Sequence, residues 1–428
     1  MASFIKDLLS VGLSKGGVIV FTLLSHVIIA RKLGPEANGV IAALNVYPAL
    51  FITFGSLGIS QATTYFVGQN QHPLEDIKKA IAQIWVLSAI FSVICCYLLI
   101  VNLSNSGDKI LLVYLAILPV PFSLFVTYNS GIFLGKNNIG FYNKLNWIPA
   151  FLTLISNALL VLGFQYDIEG ALISSFVGYF FMFVVLLYIN GFLKSLSFTI
   201  DFKLLKAMIS LGITYAIALL IINLNYKLDV ILLDKLSTNY ELGIYSKGAN
   251  LMEYLWQIPM LLSTIIFARS AVAKDGKAFS MKVILLLKIS FAVVSIASLI
   301  LFFLSPLVIQ LLFGSAFADS TSVLRILLPG VVLLTIFKVL NMDLAGKGLP
   351  WISMKAMVPA LLLNVILNVI FIPSFGADGA AMASTISYTL ASILFLYHYS
   401  KAVEISIFQI AKFSINDLNV LFEKISKR

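Results

Sequence analysis

The chain has 428 residues, of which 60% are hydrophobic and only 11% charged, and its mean hydropathy is +1.00. No single soluble core hides that much apolar surface, so the composition excludes a water-soluble globular protein and makes the bilayer the solvent. The formal net charge of +10 would suit nucleic acid, but the basic residues lie between apolar runs and form no patch or stripe. They read as orientation signals, and no nucleic-acid partner is expected.

In chain order, Lys6 is followed by an apolar run to Ala30 without a small-residue cleavage site, which reads as a retained first helix. A crossing needs about 20 apolar residues. Apolar runs between polar breaks predict spans over Leu8 to Ala30, Gly39 to Thr63, Ala80 to Val101, Ile110 to Leu134, Trp147 to Gly163 and Ala171 to Ile189. A second set covers Ala207 to Leu233, Leu242 to Phe267, Val283 to Leu304, Ile326 to Ala345, Trp351 to Ile372 and Ala377 to Tyr399. The expected organisation is therefore a lobe over 1–190, a cytoplasmic linker over 191–206, a second lobe over 207–400 and a cytoplasmic tail over 401–428. In the tail, Leu418, Leu421, Phe422 and Ile425 fall at helical spacing opposite Asn419, Glu423 and Lys424, which predicts an interfacial amphipathic helix. The two cysteines, Cys95 and Cys96, are adjacent within an apolar run and are expected only to pack.

Charge placement fixes an orientation. Lys78, Lys79, Lys136, Lys144, Lys203, Lys206, Lys277, Lys282, Lys347, Lys355 and the basic tail fall on one side of these spans, against Arg31, Lys32, Lys109, Lys227, Lys235 and Arg325 on the other. Lysine and arginine accumulate on cytoplasmic loops, so both termini are expected in the cytoplasm. Pro119, Gly135-Lys136, Pro149 and Glu169-Gly170-Ala171 recur about 210 residues later as Pro329, Gly346-Lys347, Pro359 and Asp378-Gly379-Ala380. Six spans per repeat give the halves the same orientation, with a central cleft between two bundles.

A set of short motifs runs through both halves in order: Ala30-Arg-Lys-Leu-Gly-Pro35 with Gly39, Gly243-Ile-Tyr-Ser246, Trp256-Gln-Ile-Pro259, Leu312-Phe-Gly314, Leu327-Leu-Pro-Gly330, and Asn368 with Ile372-Pro373 leading into Gly379-Ala-Ala381. As an ordered set they resemble the prokaryotic polysaccharide-biosynthesis flippases of the MOP superfamily. The resemblance implies an all-α integral membrane fold, MATE/MOP-like, with about twelve helices in two pseudo-symmetric six-helix lobes that open alternately to each side. It implies transport of an anionic polyprenyl-diphosphate-linked oligosaccharide from the cytoplasmic to the outer leaflet of a prokaryotic cytoplasmic (inner) membrane, for cell-surface polysaccharide assembly. The implied partners are that lipid, membrane lipids and other polysaccharide-assembly proteins. Neither an enzymatic activity nor a cofactor is implied, and coupling to a proton or sodium gradient is the candidate driving force.

Charged side chains within spans cost roughly 2.5 to 3.5 kcal/mol each on insertion scales, so they tend to face a cavity or a partner. Lys338 and Glu253 fall near mid-span and Lys15 is shallower, while Lys247 and Lys288 lie close enough to span ends for snorkelling to account for them equally well. Polar stripes at helical spacing comprise Lys247, Asn250, Tyr254 and Gln257; Lys15, Thr22 and His26; Asn146, Pro149, Thr153 and Asn157; and Asn364 with Asn368. Single asparagines are explained by helix-to-helix hydrogen bonds, worth about 0.6 kcal/mol. Several stripes together are more economically explained by a wet cavity. The substrate path is accordingly expected to use Lys15, Lys247, Lys288, Lys338, Asn250, Asn157 and Asn364, because an ammonium is a compact point charge that binds phosphate. Glu253, Asp229, Asp343 and His26 are the ion-coupling candidates, although Asp229 could instead pair with Lys227.

A cation-coupled multidrug or small-molecule exporter of the same fold is the nearest rival, and lysines at depth disfavour it. A membrane glycan polymerase or ligase would need a large external loop with catalytic groups, whereas Ser305 to Leu324, the longest external loop expected, holds only Asp319 as an acid. With three histidines, His26, His72 and His398, and no glycine-rich phosphate loop, the sequence offers no metal-spaced cluster or nucleotide motif.

Overall fold

The computed structural model describes residues 2–70, 72–136, 138–192, 201–271, 273 and 275–412, and every regular element among them is helical. The chain divides into two compact units, one of Met1–Ser246 with Leu312–Phe317, the other of Lys247–Leu311 with Ala318–Arg428. The first holds α1 (Ala2–Gly55), α2 (Ile59–Gln69), α3 (Leu74–Leu103), α4 (Ile110–Ile117), α5 (Val120–Gly135), α6 (Ile139–Asn146), α7 (Ile148–Asn157), a π-helical segment (Ala158–Gly163), α8 (Ile168–Ile189), α9 (Phe202–Leu236) and the start of α10 (Asn239–Leu255). The second holds the rest of α10, then α11 (Gln257–Ala271), most of α12 (Gly276–Phe313), α13 (Ser320–Gly346), α14 (Ile352–Val403) and α15 (Ile407–Ala411).

Among the described residues, nine helical stretches are long and apolar enough to cross a membrane. Two of them, Ser14–Gln69 with 56 residues and Ile352–Val403 with 52, are more than twice the length of the others' minimum need of about 20 residues. Each is broken by a glycine with positive φ, Gly34 at 74° and Gly376 at 52°. Such a φ is open to glycine at little cost and turns the chain. In α14 the two limbs run antiparallel: Ser387 Oγ donates to the Ala360 carbonyl at 2.9 Å, and Gly379 lies against the Phe371 backbone. With α10 and α11 as a further polar-rich pair separated by a turn at Trp256, the architecture is compatible with about twelve crossings.

Some boundaries differ from the sequence expectation. The span expected over Gly39 to Thr63 stops at Gly55 and restarts at Ile59, because Leu57 and Gly58 take φ of 48° and 61°. The expected span Trp147 to Gly163 is α7 followed by the π-helical segment. The amphipathic helix expected over Leu418 to Ile425, and residues 193–200 of the linker, lie outside the described residues.

Burial follows a lipid solvent. On α3, Leu87, Phe91, Ile94 and Leu98 point outward while Ile84, Ser88, Cys96 and Ile100 are buried, so large apolar side chains face out and smaller or polar ones face the helices. Ile296, Leu299, Phe303, Leu307 and Leu311 form a similar exposed stripe on α12. Contiguous stripes of this kind are a liability in water and the norm in hydrocarbon, where helix contacts favour small residues.

Candidate functional site

In the first unit, α1 carries Lys15 and His26, both half-buried. Gly17 and Phe21 pack against Trp147, and Phe21 also meets Phe151 edge-on. At about 100° per residue, Lys15, Thr22 and His26 lie on the opposite side of α1 from Gly17 and Phe21, so the polar stripe is turned away from α7.

Asp229 on α9 is fully buried and accepts a hydrogen bond from the Tyr245 hydroxyl at 2.7 Å, with Asn225 buried one turn earlier. A hydroxyl donor stabilises the carboxylate and fixes its orientation. Asn157 closes α7 at the start of the π-helical segment, is 1% exposed, and has no hydrogen-bond partner for either amide atom. The residues at i−4 and i−8 on its stripe, Thr153 and Pro149, instead lie against Gly178 of α8. The stripe is thus partly a helix-packing surface, and Asn157 is the member left with unspent hydrogen-bonding capacity.

In the second unit, Lys247 is buried, and Asn250 and Glu253 are half-buried on the same helix. Lys338 on α13 sets its ammonium 4.0 Å from the centroid of the Trp256 ring, and Trp256 in turn meets Tyr388 edge-on at 5.8 Å. The indole face carries negative potential, so it replaces part of the hydration that an ammonium loses inside a membrane protein. Lys288 is half-buried on α12. Asn364 and Asn368 are fully buried on α14, with the Asn368 amide donating to the Asn364 carbonyl at 2.9 Å.

Asp343 is fully buried and collects donors from four elements: Ser270 Oγ on α11 at 2.5 Å, Ser280 Oγ on α12 at 2.6 Å, Tyr399 Oη on α14 at 2.7 Å, and Lys347 Nζ at the end of α13 at 2.9 Å. Four donors saturate most of a carboxylate's lone pairs, which makes this group a pinned anion joining four helices.

Two features escaped the sequence reading. Trp256 was legible only as part of a motif, and its role as the seat of Lys338 depends on a partner 82 positions away in the chain, a pairing no spacing rule reports. Asp234, 2% exposed at the end of α9, receives the backbone N–H of Asn105 at 3.2 Å and so anchors the turn after α3. Asp343 with Lys347 was recoverable, since i,i+4 acid–base pairs share a helix face.

Residues 4–268 match the family described as "Polysaccharide biosynthesis protein". A 98-residue stretch is 34% identical to a probable low-salt glycan biosynthesis flippase of Haloferax volcanii, covering 23% of this chain and 21% of that protein, so the match spans about a fifth of the relative. Over 387 residues the chain is 24% identical to the capsular polysaccharide biosynthesis protein CapF of Staphylococcus aureus, covering 87% of this chain and 93% of that one. Among solved structures, the lipid II flippase MurJ in an inward closed conformation aligns with a TM-score of 0.75 at 17% identity, covering 97% of this chain and 92% of MurJ. An inward-facing multidrug resistance MATE family transporter of the MOP superfamily aligns with a TM-score of 0.76 at 14% identity, covering 90% and 95%. At these identities the likeness is one of fold, and it is the multi-helix membrane fold that the repeat and motifs imply.

Proposed function

This chain belongs to the polysaccharide biosynthesis protein family, and we propose that within it the chain is a flippase carrying an anionic polyprenyl-diphosphate-linked oligosaccharide from the cytoplasmic to the outer leaflet. Lys338 carries the reading: a basic side chain inside an apolar helix, with its Nζ seated on the Trp256 indole face at 4.0 Å. Buried Lys247 supplies a second basic group, and the buried amides of Asn157 and Asn364 supply neutral hydrogen bonds suited to sugar hydroxyls. A diphosphate carries about two negative charges, and an inside-negative potential favours its exit by about 2.3 kcal/mol per charge per 100 mV.

The chain moves its cargo without making or breaking bonds, as two lobes over 1–190 and 207–400 that open alternately in a prokaryotic inner membrane with both termini cytoplasmic. Glu253, Asp229 and His26 are the groups assigned to proton or sodium coupling. Asp343 is the weakest of the coupling candidates because its oxygens are already filled by four donors. The glycan-flippase name of the Haloferax volcanii relative and the lipid II cargo of MurJ both support a lipid-linked saccharide as substrate. The fold of the MATE transporter supports the exporter reading equally, and the lysines weigh against cationic drugs.

The test is flipping of defined polyprenyl-diphosphate oligosaccharides in proteoliposomes, with imposed pH or sodium gradients. Lys338→Ala is expected to slow flipping about tenfold or more, as loss of a desolvated cation would. Unchanged flipping in that variant removes Lys338 from the path, and drug efflux without lipid flipping replaces this reading by the exporter.

A further inference from the structure

Away from the proposed cargo path, one end of the α14 hairpin gathers lysines that make no ion pair with an acid among the described residues. Because the helix folds back at Gly376, its first and last turns meet at the same end. Lys355 sits over the Trp351 ring at 4.6 Å and Lys401 over the Tyr397 ring at 4.4 Å, one pair on each limb. His398 is close enough to feel the charge of both lysines. The following short helix adds Lys412 over the Phe408 ring at 5.8 Å.

Among the described residues, none of Lys355, His398, Lys401 and Lys412 makes an ion pair. The acid next in sequence, Glu404, is directed at Lys277 at 3.7 Å, and the nearby Lys347 is occupied by Asp343. The three rings that seat the lysines are themselves open to the surroundings, Trp351 at 41%, Tyr397 at 44% and Phe408 at 72% exposure.

We propose that this cluster is a binding site for the headgroup of an anionic phospholipid, held at the end of the α14 hairpin where its apolar run gives way to the interface. Amphipathic rings favour the headgroup level, and basic side chains beside a span attract anionic lipid. Each ring pre-orients its ammonium, so little side-chain freedom is lost when phosphate arrives. Open Ile407 and Phe408 next to the cations give acyl chains an apolar surface that free phosphate would not use. Three cations match a lipid with two phosphates, such as cardiolipin, better than a zwitterionic lipid, whose own ammonium opposes them. The site is independent of the cargo reading, since it shares no residue with the path assigned to Lys338.

The experiment uses the full-length protein, delipidated in detergent, with cardiolipin and phosphatidylcholine as probes and bound lipid counted by native mass spectrometry. The expected result is cardiolipin retained in preference to phosphatidylcholine, and a loss of affinity of about a hundredfold in K355Q/K401Q/K412Q. K355R/K401R/K412R, which keeps the charges, is expected to retain cardiolipin, and K109Q/K235Q to bind as the wild type does. Equal retention of both lipids, undiminished cardiolipin binding in the glutamine variant, loss in the arginine variant, or displacement of cardiolipin by millimolar inorganic phosphate would each overturn the proposal.

Discussion

The hairpins at 147–189 and 351–403 are the two copies of one repeat, and they differ in their interiors more than in their turns. Both carry a proline in the first limb, Pro149 at the first turn of α7 and Pro359 inside α14, and both return through a Gly-Ala pair, Gly170-Ala171 or Gly379-Ala380, that lies tight against the preceding limb. The second copy is helical throughout except at Gly376. The first widens into a π-helical segment over Ala158–Gly163 and then needs a non-helical connection in which Gln165 takes φ 57°. Each hairpin buries an asparagine in its first limb, Asn157 or Asn368, yet Asn368 donates to Asn364 while Asn157 has no partner. The residues that steer the backbone are therefore retained by both copies, while the buried polar chemistry has diverged, and a π-helical segment is where such divergence is commonly functional.

The same contrast can be tested by paired substitutions. The largest difference is expected at the repeated Gly-Lys end of the preceding helix, where Lys347 is bound to buried Asp343 and Lys136 is exposed. Lys347→Met is expected to lower stability by about 3 kcal/mol, because it leaves a buried carboxylate supported only by hydroxyls. Lys136→Met should change it by less than about 0.5 kcal/mol. Urea or thermal unfolding in detergent measures both, and equal losses would break the contrast. Next come the return glycines. A methyl on Gly379 would sit 2.5 Å from the Phe371 carbonyl oxygen, and one on Gly170 would sit 2.9 Å from Tyr166 Cβ in the non-helical connection. Gly379→Ala is expected to cost about 2 kcal/mol and Gly170→Ala about half of that, because a helix backbone yields less than a connecting segment. The same unfolding measurement decides it; a costlier Gly170→Ala would show that the first hairpin is the stiffer.

What the sequence disclosed follows from which forces are local. Apolar runs, lysine placement and the recurring prolines and glycines report span, sidedness and repeat, since each depends on a residue and its immediate neighbours. The break at Leu57-Gly58 was hidden because a leucine with positive φ leaves no compositional mark. Among the candidate residues, depth was readable and partners were not. Lys338 was picked out by its position in an apolar run, but Trp256 as its seat, and Ser270 and Tyr399 as donors to Asp343, come from helices far apart in the chain. The polar stripe through Pro149 and Thr153 was read by period alone, and period does not distinguish a cavity from the close approach of Gly178.

The smallest expected effect separates structure from transport most sharply. A buried amide without partners costs about 1 to 3 kcal/mol, so if Asn157 only packs, its replacement by a similarly sized apolar residue should relieve that cost. Asn157→Leu is expected to raise stability by about 1 kcal/mol, while Asn368→Leu lowers it by about 1 kcal/mol through loss of the bond to Asn364. Flipping in proteoliposomes supplies the second readout. If the amide meets cargo, Asn157→Leu yields a more stable protein that flips more slowly, two changes of opposite sign that a packing role cannot produce. A variant that loses stability and transport together would place Asn157 with Asn368 as a structural asparagine, and the divergence between the hairpins would then concern backbone shape alone.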